Sequence, residues 1–287
     1  MPPKRRLRLR SNMTVEKRAF RLLAVDMDGT VLNSEKVITP RTGRAMETAL
    51  SAGKEVVFAT GRCPSEMRNY LAAFPAMRYA MCLSGALLLD LRTGKVLDET
   101  TLSPALVEQI LAAAEGLDVM AVVYAGNEVY LEQRRRGDLA HFWCDCYTAL
   151  YDDCGNWVER SADVLSLGES IRKINFFCHS EADYRALEQR MAPLPVSLAQ
   201  GSYNNCEVSP LGVDKGMGLE RLCRAVGIPV TESIAVGDSG NDLAMLRAAG
   251  LSVAMENATA EIKAAADVTV SDCDHDGVAE AIETYLL

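Results

Sequence analysis

Two aspartates one residue apart, Asp26 and Asp28 in Val25-Asp26-Met27-Asp28-Gly29-Thr30, directly follow the apolar run Leu22-Leu23-Ala24. Like charges at the end of a buried strand repel each other, and loss of water makes ionising either one costlier. Two more carboxylates, Asp238 and Asp242 in Gly237-Asp238-Ser239-Gly240-Asn241-Asp242, follow the apolar Ile234-Ala235-Val236. If the fold brings these four to one edge, only protonation or a bound cation relieves them. Carboxylate and water oxygens without a His or Cys cluster favour Mg²⁺ over zinc, and Mg²⁺ usually completes its shell with substrate phosphate. The implied ligand is a phosphate.

Other residues suit that ligand. Thr60 supplies a hydroxyl, and Gly61 lets backbone N–H groups approach closely at what reads as a helix start, where the dipole favours an anion. Lys215 adds a compact positive charge and Asn241 an amide donor, so three phosphoryl oxygens could be neutralised and positioned. Each feature alone also has an ordinary reading. An Asp-x-Asp pair occurs in turns and sugar-nucleotide sites, Thr-Gly-Arg can simply open a helix, most lysines are solvated, and Gly-Asp-Ser-Gly-Asn-Asp can be a loop and N-cap.

The elements that must position these groups alternate. Residues 21–26 read as a strand, and Thr39-Pro40 caps and opens a helix to Leu50 that Ala52-Gly53 stops. A second strand over 55–59 and a helix over 64–73 follow, then a strand over 79–83 and a hairpin of 86–90 with 95–98. The pattern then changes to a helix at 103–116, strands at 119–124 and 128–132, an irregular Cys- and aromatic-rich stretch at 137–151, a strand at 172–178 and a helix at 181–191. Helices at 214–226, 241–248 and 258–265 around strands at 233–236, 251–254 and 268–270 restore it. This predicts an α/β fold, a doubly wound parallel-sheet core with an inserted α+β cap. The expected divisions are a basic extension over 1–19, a core over 20–86 and 200–287, and a cap over 87–199. Ligands of such sheets bind beyond the carboxyl ends of the strands, where the four sets of residues lie.

The 287 residues are 49 % hydrophobic, enough to bury a large core, and no run is long and apolar enough for a membrane span. Net charge is −9, and Lys4, Arg5, Arg6, Arg8 and Arg10 contribute five positive charges, so setting them aside leaves −14 for the remainder. Such a body repels polyanions, which argues against nucleic acid as a partner, and nothing points to a membrane. The basic tail lacks a secretory leader's apolar segment; it reads as an extension, a misassigned start or an organelle-targeting peptide. Nine scattered cysteines without a paired zinc spacing suggest reduced thiols and a cytoplasmic protein. Arg134-Arg135-Arg136 reads as a solvated loop rather than an anion site, Cys144 and Cys146 beside His141 as ordinary residues rather than a metal site, and His141, Phe142, Trp143 and Tyr147 as cap packing rather than a pocket lining.

Taken together, DMDGT at 26–30, ATGR at 59–62, the lysine of GVDKG at 212–216 and GDSGNDLAML at 237–246 resemble the haloacid dehalogenase-like (HAD) superfamily of phosphatases. The long α/β insertion between the second motif and the lysine resembles its Cof-type branch, which hydrolyses small phosphorylated metabolites such as sugar phosphates. The resemblance implies that Asp26 is the nucleophile that becomes an aspartyl-phosphate, and that Asp28 is the acid and then the base. It implies a Mg²⁺ held by Asp26, the Asp28 carbonyl and Asp238, with Asp242 as a further or outer ligand. Thr60, Gly61, Lys215 and Asn241 would hold the phosphoryl group, Gly29 would permit the turn, and Thr30 would orient Asp28. Ser84-Gly85-Ala86 departs from the branch's usual Asn-Gly-Ala. A phosphotransferase or phosphomutase on the same core, or a non-catalytic metabolite-binding protein, are the competing functions. The sequence leaves substrate and oligomeric state open.

Overall fold

All four residues of the first strand, β1 (Leu22–Val25), are buried, as expected of a central parallel strand covered on both faces. In the computed structural model, which describes residues 20–202 and 204–287, β1 lies between two neighbours it reaches through helical crossovers. Thr39 caps α1 (Pro40–Ser51) by accepting from the Thr42 N–H, with Pro40 in the first turn, and β2 (Glu55–Ala59) then pairs parallel with β1. A single 3₁₀ turn over 65–67 leads into α2 (Arg68–Ala73), followed by β3 (Tyr79–Cys82), β4 (Leu87–Asp90) and β5 (Lys95–Glu99).

The chain then leaves this sheet. It runs through α3 (Pro104–Ala113), β6 (Val119–Ala125), β7 (Glu128–Glu132), α4 (Thr148–Cys154), β8 (Gly155–Val158), β9 (Ile171–Cys178), α5 (Glu181–Met191), β10 (Val196–Ser202) and β11 (Asn205–Pro210). It returns through α6 (Lys215–Val226), β12 (Ser233–Gly237), α7 (Leu243–Ala248), β13 (Leu251–Met255), α8 (Ala260–Ala265), β14 (Val268–Val270) and α9 (Gly277–Ala281).

Two sheets result. The first runs β14-β13-β12-β1-β2-β3-β4-β5, parallel except for β4 and β5; the second runs β10-β11-β9-β6-β7-β8 and is antiparallel except for β7 with β8. This is the doubly wound core with an inserted α+β unit. The hairpin β4–β5, expected in the insertion from residue 87, instead extends the core sheet, because Tyr79–Cys82 pairs antiparallel with Leu87–Asp90. Residues 200–210, expected in the core, belong to the second sheet through the β10–β11 and β11–β9 pairings. The change of sheet therefore falls after Glu99 and after Pro210, rather than at 87 and 199. The expected helix at 103–116 stops at Ala113. Residues 1–19, expected to be a basic extension, lie outside the described residues.

One apolar cluster, including Leu23, Val25, Phe58, Met46 and Ile282, fills one face of the first sheet, and another, including Leu22, Ala24, Val57 and Leu219, fills the opposite face. A third covers one face of the second sheet with Ile174, Phe176, Cys178, Cys206 and Val208. The other face of that sheet looks toward the ends of the core strands. No helix among the described residues is long and apolar enough to cross a membrane.

Candidate active site

The carboxyl ends of β1 and β12 lie side by side, since Val25 pairs with Val236, and each strand delivers its aspartates into the same cleft. Carboxylate oxygens of Asp26, Asp238 and Asp242 all lie within 4.8 Å of one another. Lys215, at the first turn of α6 and fully buried, places Nζ 2.5 Å from Asp26 Oδ1 and 2.7 Å from Asp242 Oδ1. One cation faces three acids, so the nest is left with excess negative charge. Burial and then the Asp242 carboxylate push Asp26 upward against the pull of Lys215. Burial and Asp242 likewise raise Asp238 to about 6. Lys215 itself is held above its ordinary range by Asp242 and Asp26, which overcome the opposing effect of burial.

Asp242 takes no part in lining the cavity over this nest. Its Oδ2 accepts from the backbone N–H groups of Asp238 and Ser239 at 3.0 and 3.1 Å, while Oδ1 takes Lys215. It shapes the loop and holds the lysine. Asp26 and Asp238 do line the cavity, and hard oxygens in an electronegative nest fit a divalent cation such as Mg²⁺. Gly29 has φ of +81°, and a Cβ there would sit 2.8 Å from Asp238 Oδ2, so the turn needs glycine twice over. Thr30 Oγ1 donates to Asp238 Oδ1 at 2.9 Å. The expected role of Thr30 toward Asp28 is thus replaced by a contact with Asp238, 208 residues away in sequence.

Asp28 lines the same cavity and is held there by two cations. Arg62 donates to both its oxygens at 2.7 and 2.9 Å, and Lys36 to one at 3.0 Å. Against the cost of its burial, Arg62 and then Lys36 lower this carboxyl to about 2. Neither partner was singled out in the sequence, although Arg62 sits inside ATGR; its reach to Asp28 depends on how β1 and β2 pair.

Thr60, Gly61 and Asn241 line the same cavity, and Lys215 borders a neighbouring one with Asn241. Asn241 Oδ1 accepts from Ser239 Oγ at 2.7 Å, which leaves its NH₂ as the donor for an anion. The expected helix at 64–73 begins instead as the 3₁₀ turn of Ser65–Met67 and becomes α-helical only at Arg68. Glu66 accepts from the Cys63 N–H and so starts that turn beyond the Thr-Gly-Arg segment. No helix dipole therefore acts at Gly61. A Cβ there would meet Lys173 Nζ at 3.4 Å, an ordinary contact, so the local packing does not itself demand glycine.

The second sheet closes the cleft. Tyr124 on β6, Lys173, Asn175 and Phe177 on β9, and Asn205 and Glu207 on β11 line a cavity of about 290 Å³ whose other wall carries the aspartates. Lys173 Nζ reaches across to the Gly61 carbonyl at 2.5 Å. Ser84 Oγ, at the variant position, lies 3.4 Å from Glu207 Oε2. The sequence signal for this wall was the alternation in Arg172-Lys173-Ile174-Asn175-Phe176-Phe177, where every second side chain turns to the cleft. Tyr147 also lines the cavity, while Phe142 is core and Trp143 is exposed. Arg134 pairs with Glu132, Arg135 with Asp118 and Asp138, and Arg136 with Asp152, so the arginine run is neutralised locally. Cys144 is buried against the Leu139 carbonyl and all nine cysteines are free.

The sequence profile of haloacid dehalogenase-like hydrolases matches residues 23–282, nearly the whole described chain. The chain belongs to this family. It is 28 % identical over 290 residues to phosphatase YwpJ of Bacillus subtilis, covering 93 % of this chain and 100 % of that protein. It is 27 % identical over 270 residues to the 5-amino-6-(5-phospho-D-ribitylamino)uracil phosphatase YcsE of the same organism, covering 93 % and 96 %. A solved haloacid dehalogenase-like hydrolase from B. subtilis superposes with a TM-score of 0.83 at 26 % identity, covering 92 % of this chain and 99 % of that one. The haloacid dehalogenase-like fold of core and inserted unit is thus shared along the chain's length.

Proposed function

We propose that this hydrolase is a Mg²⁺-dependent phosphatase of small phosphorylated metabolites that works through an aspartyl-phosphate on Asp26. The observation that carries the proposal is the cluster of Asp26, Asp238 and Asp242, with Lys215 bridging Asp26 and Asp242, beside a small cavity that Asp26 and Asp238 line. Relatives named as phosphatases support the reaction class. Asp26, the Asp28 carbonyl and Asp238 would hold the ion, which supplies charge neutralisation for the phosphoryl oxygens.

The chain's own groups then divide the work. Thr60, Asn241 and Lys215 orient the phosphoryl group, and a carboxylate oxygen of Asp26 attacks phosphorus as the ester P–O bond breaks. Asp28, protonated, gives its proton to the leaving oxygen. It then takes a proton from water, whose oxygen attacks the phosphorus, releasing phosphate and restoring Asp26. Arg62 and Lys36 hold Asp28 ionised, so the acid step requires that Arg62 release it as substrate enters. The inserted sheet excludes bulk water. Free and mostly buried cysteines support a cytoplasmic setting, and the −9 net charge argues against a nucleic-acid partner.

Phosphate release from p-nitrophenyl phosphate tests this. Activity is expected with Mg²⁺, to vanish with a chelator, and to be lost in Asp26→Asn. Full turnover by the Asp26→Asn protein would overturn the mechanism.

A further inference from the structure

Two buried amide oxygens on the cavity wall opposite the aspartates have no partner. Asn175 and Asn205 are 4 % and 5 % exposed, both line the cavity, and neither Oδ1 meets a hydrogen-bond donor among the described residues. A buried acceptor left unpaired is costly, so a fold that keeps two on one wall has reserved them for donors that arrive with a ligand. Asn175 Nδ2 is already directed to the Tyr124 hydroxyl at 3.5 Å, which turns the oxygen of that amide to its remaining side.

The strand register gathers these atoms. Asn175 lies opposite Glu207 and Asn205 opposite Phe177, so two amides and a carboxylate share one face of the β9–β11 pair. That face offers acceptors. The cation on this wall, Lys173, is engaged by the Gly61 carbonyl and, at 3.5 Å, by Glu207, while Arg62 and Lys36 border the cavity on the core side beside Asp28. Among the described residues, no free positive charge on this wall faces a second anionic group, and Glu207 repels one. Phe177 and Tyr147, with ring centroids 5.7 Å apart, give the leaving group an apolar surface beside the acceptors.

We propose that Asn175 and Asn205 determine specificity by accepting hydrogen bonds from the leaving group. The preferred substrate is a phosphomonoester whose leaving group presents donors, hydroxyl or N–H, and carries no second anionic group. This rests on the phosphatase function proposed above.

The test is steady-state kinetics of the full chain with Mg²⁺ on matched pairs. A sugar or polyol phosphate is compared with its deoxy analogues, an aminopyrimidine-bearing alkyl phosphate with its deaminated analogue, and each parent with its bisphosphate. In at least one of the two series, removing a donor is expected to lower kcat/KM about 10- to 100-fold, as an acceptor is left unpaired. A second phosphate is expected to lower it by at least about 10-fold. In Asn175→Leu and Asn205→Leu the ratio of kcat/KM between parent and donor-less analogue is expected to fall toward one. That ratio does not depend on how much of a variant folds. Equal kcat/KM for parents and analogues in both series, unimpaired turnover of the bisphosphates, or ratios unchanged in both variants would overturn the specificity proposal while leaving the phosphatase function standing. No phosphate release from any substrate, p-nitrophenyl phosphate included, would overturn both.

Discussion

Arg62 grips Asp28 at both oxygens, Nη2 to Oδ1 at 2.7 Å and Nε to Oδ2 at 2.9 Å. The fork ties the turn after β1 to the turn after β2, and it has a measurable pH signature. Asp28 sits at about 2 in the fold against an ordinary 3.8. An acid lowered in the fold adds stability that is full above its unfolded value and is lost as pH falls through the folded one. The window is therefore about pH 4 down to about pH 2. Because the side chain is 38 % exposed, solvent screening reduces the contribution to about 1 kcal/mol. Urea midpoints of the wild type and Arg62→Ala, compared at about pH 5 and about pH 2.5, should differ less at the lower pH. A gap that does not change with pH would show that the fork holds no net stability.

Among the described residues, Lys215 is the cation in contact with the buried Asp26 and Asp242, and its loss leaves them facing each other. Lys215→Met is expected to destabilise the metal-free protein by about 3–5 kcal/mol, the cost of stranding buried charge. Adding Mg²⁺ should recover part of that loss by supplying the missing charge. Thermal melts with and without the ion check both halves. A variant as stable as the wild type in a chelating buffer would mean that Asp26 and Asp242 are not both ionised beside the lysine.

Two glycines with similar backbone angles separate strain from close approach. Gly29 and Gly53 have φ of +81° and +77°, but a Cβ at Gly29 meets Asp238 while one at Gly53 meets nothing within 4 Å. Gly53→Ala should cost about 1 kcal/mol, the left-handed penalty alone. Gly29→Ala should cost more, because it also displaces the Asp238 carboxylate, and should lower phosphatase activity at least about 10-fold. Equal melting shifts and equal activities in the two variants would show that the Asp238 contact is immaterial.

The core half of the site was legible because each of its groups sits in a contiguous motif directly after a buried strand, as with Asp26, Asp28 and Asp238. The strands at 119–124, 128–132 and 172–178 of the inserted wall were legible too, but the two that complete it were not. Ser197-Leu198-Ala199-Gln200 and Asn205-Cys206-Glu207 carry few β-branched or aromatic residues, so they do not read as strands, and their pairing emerges only when β9 supplies a partner. The hairpin of 86–90 with 95–98 was recognised but assigned to the insertion from residue 87, since nothing local states which sheet its edge will join. Thr30 shows the same limit. Its partner Asp238 is fixed by the pairing of β1 with β12, a relation between distant segments.

Lys173 and Glu207 stand on neighbouring strands of the inserted sheet, β9 and β11, and a four-protein cycle isolates the interaction between them. Lys173 is 1 % exposed, reaches the Gly61 carbonyl across the cleft, and lies 3.5 Å from Glu207. Lys173→Met should cost about 3–5 kcal/mol, because it strands the Glu207 carboxylate in a mostly buried position and cuts the link to Gly61. Glu207→Gln should cost less, since the lysine keeps its carbonyl acceptor. Once the lysine is gone, neutralising the carboxylate removes the stranded charge, so the double variant should be more stable than Lys173→Met alone. The interaction energy from urea unfolding of all four proteins should then fall near 1–3 kcal/mol, within the range for contacting buried charges. An energy near zero would mean that the contact between the ammonium and the carboxylate adds nothing to stability.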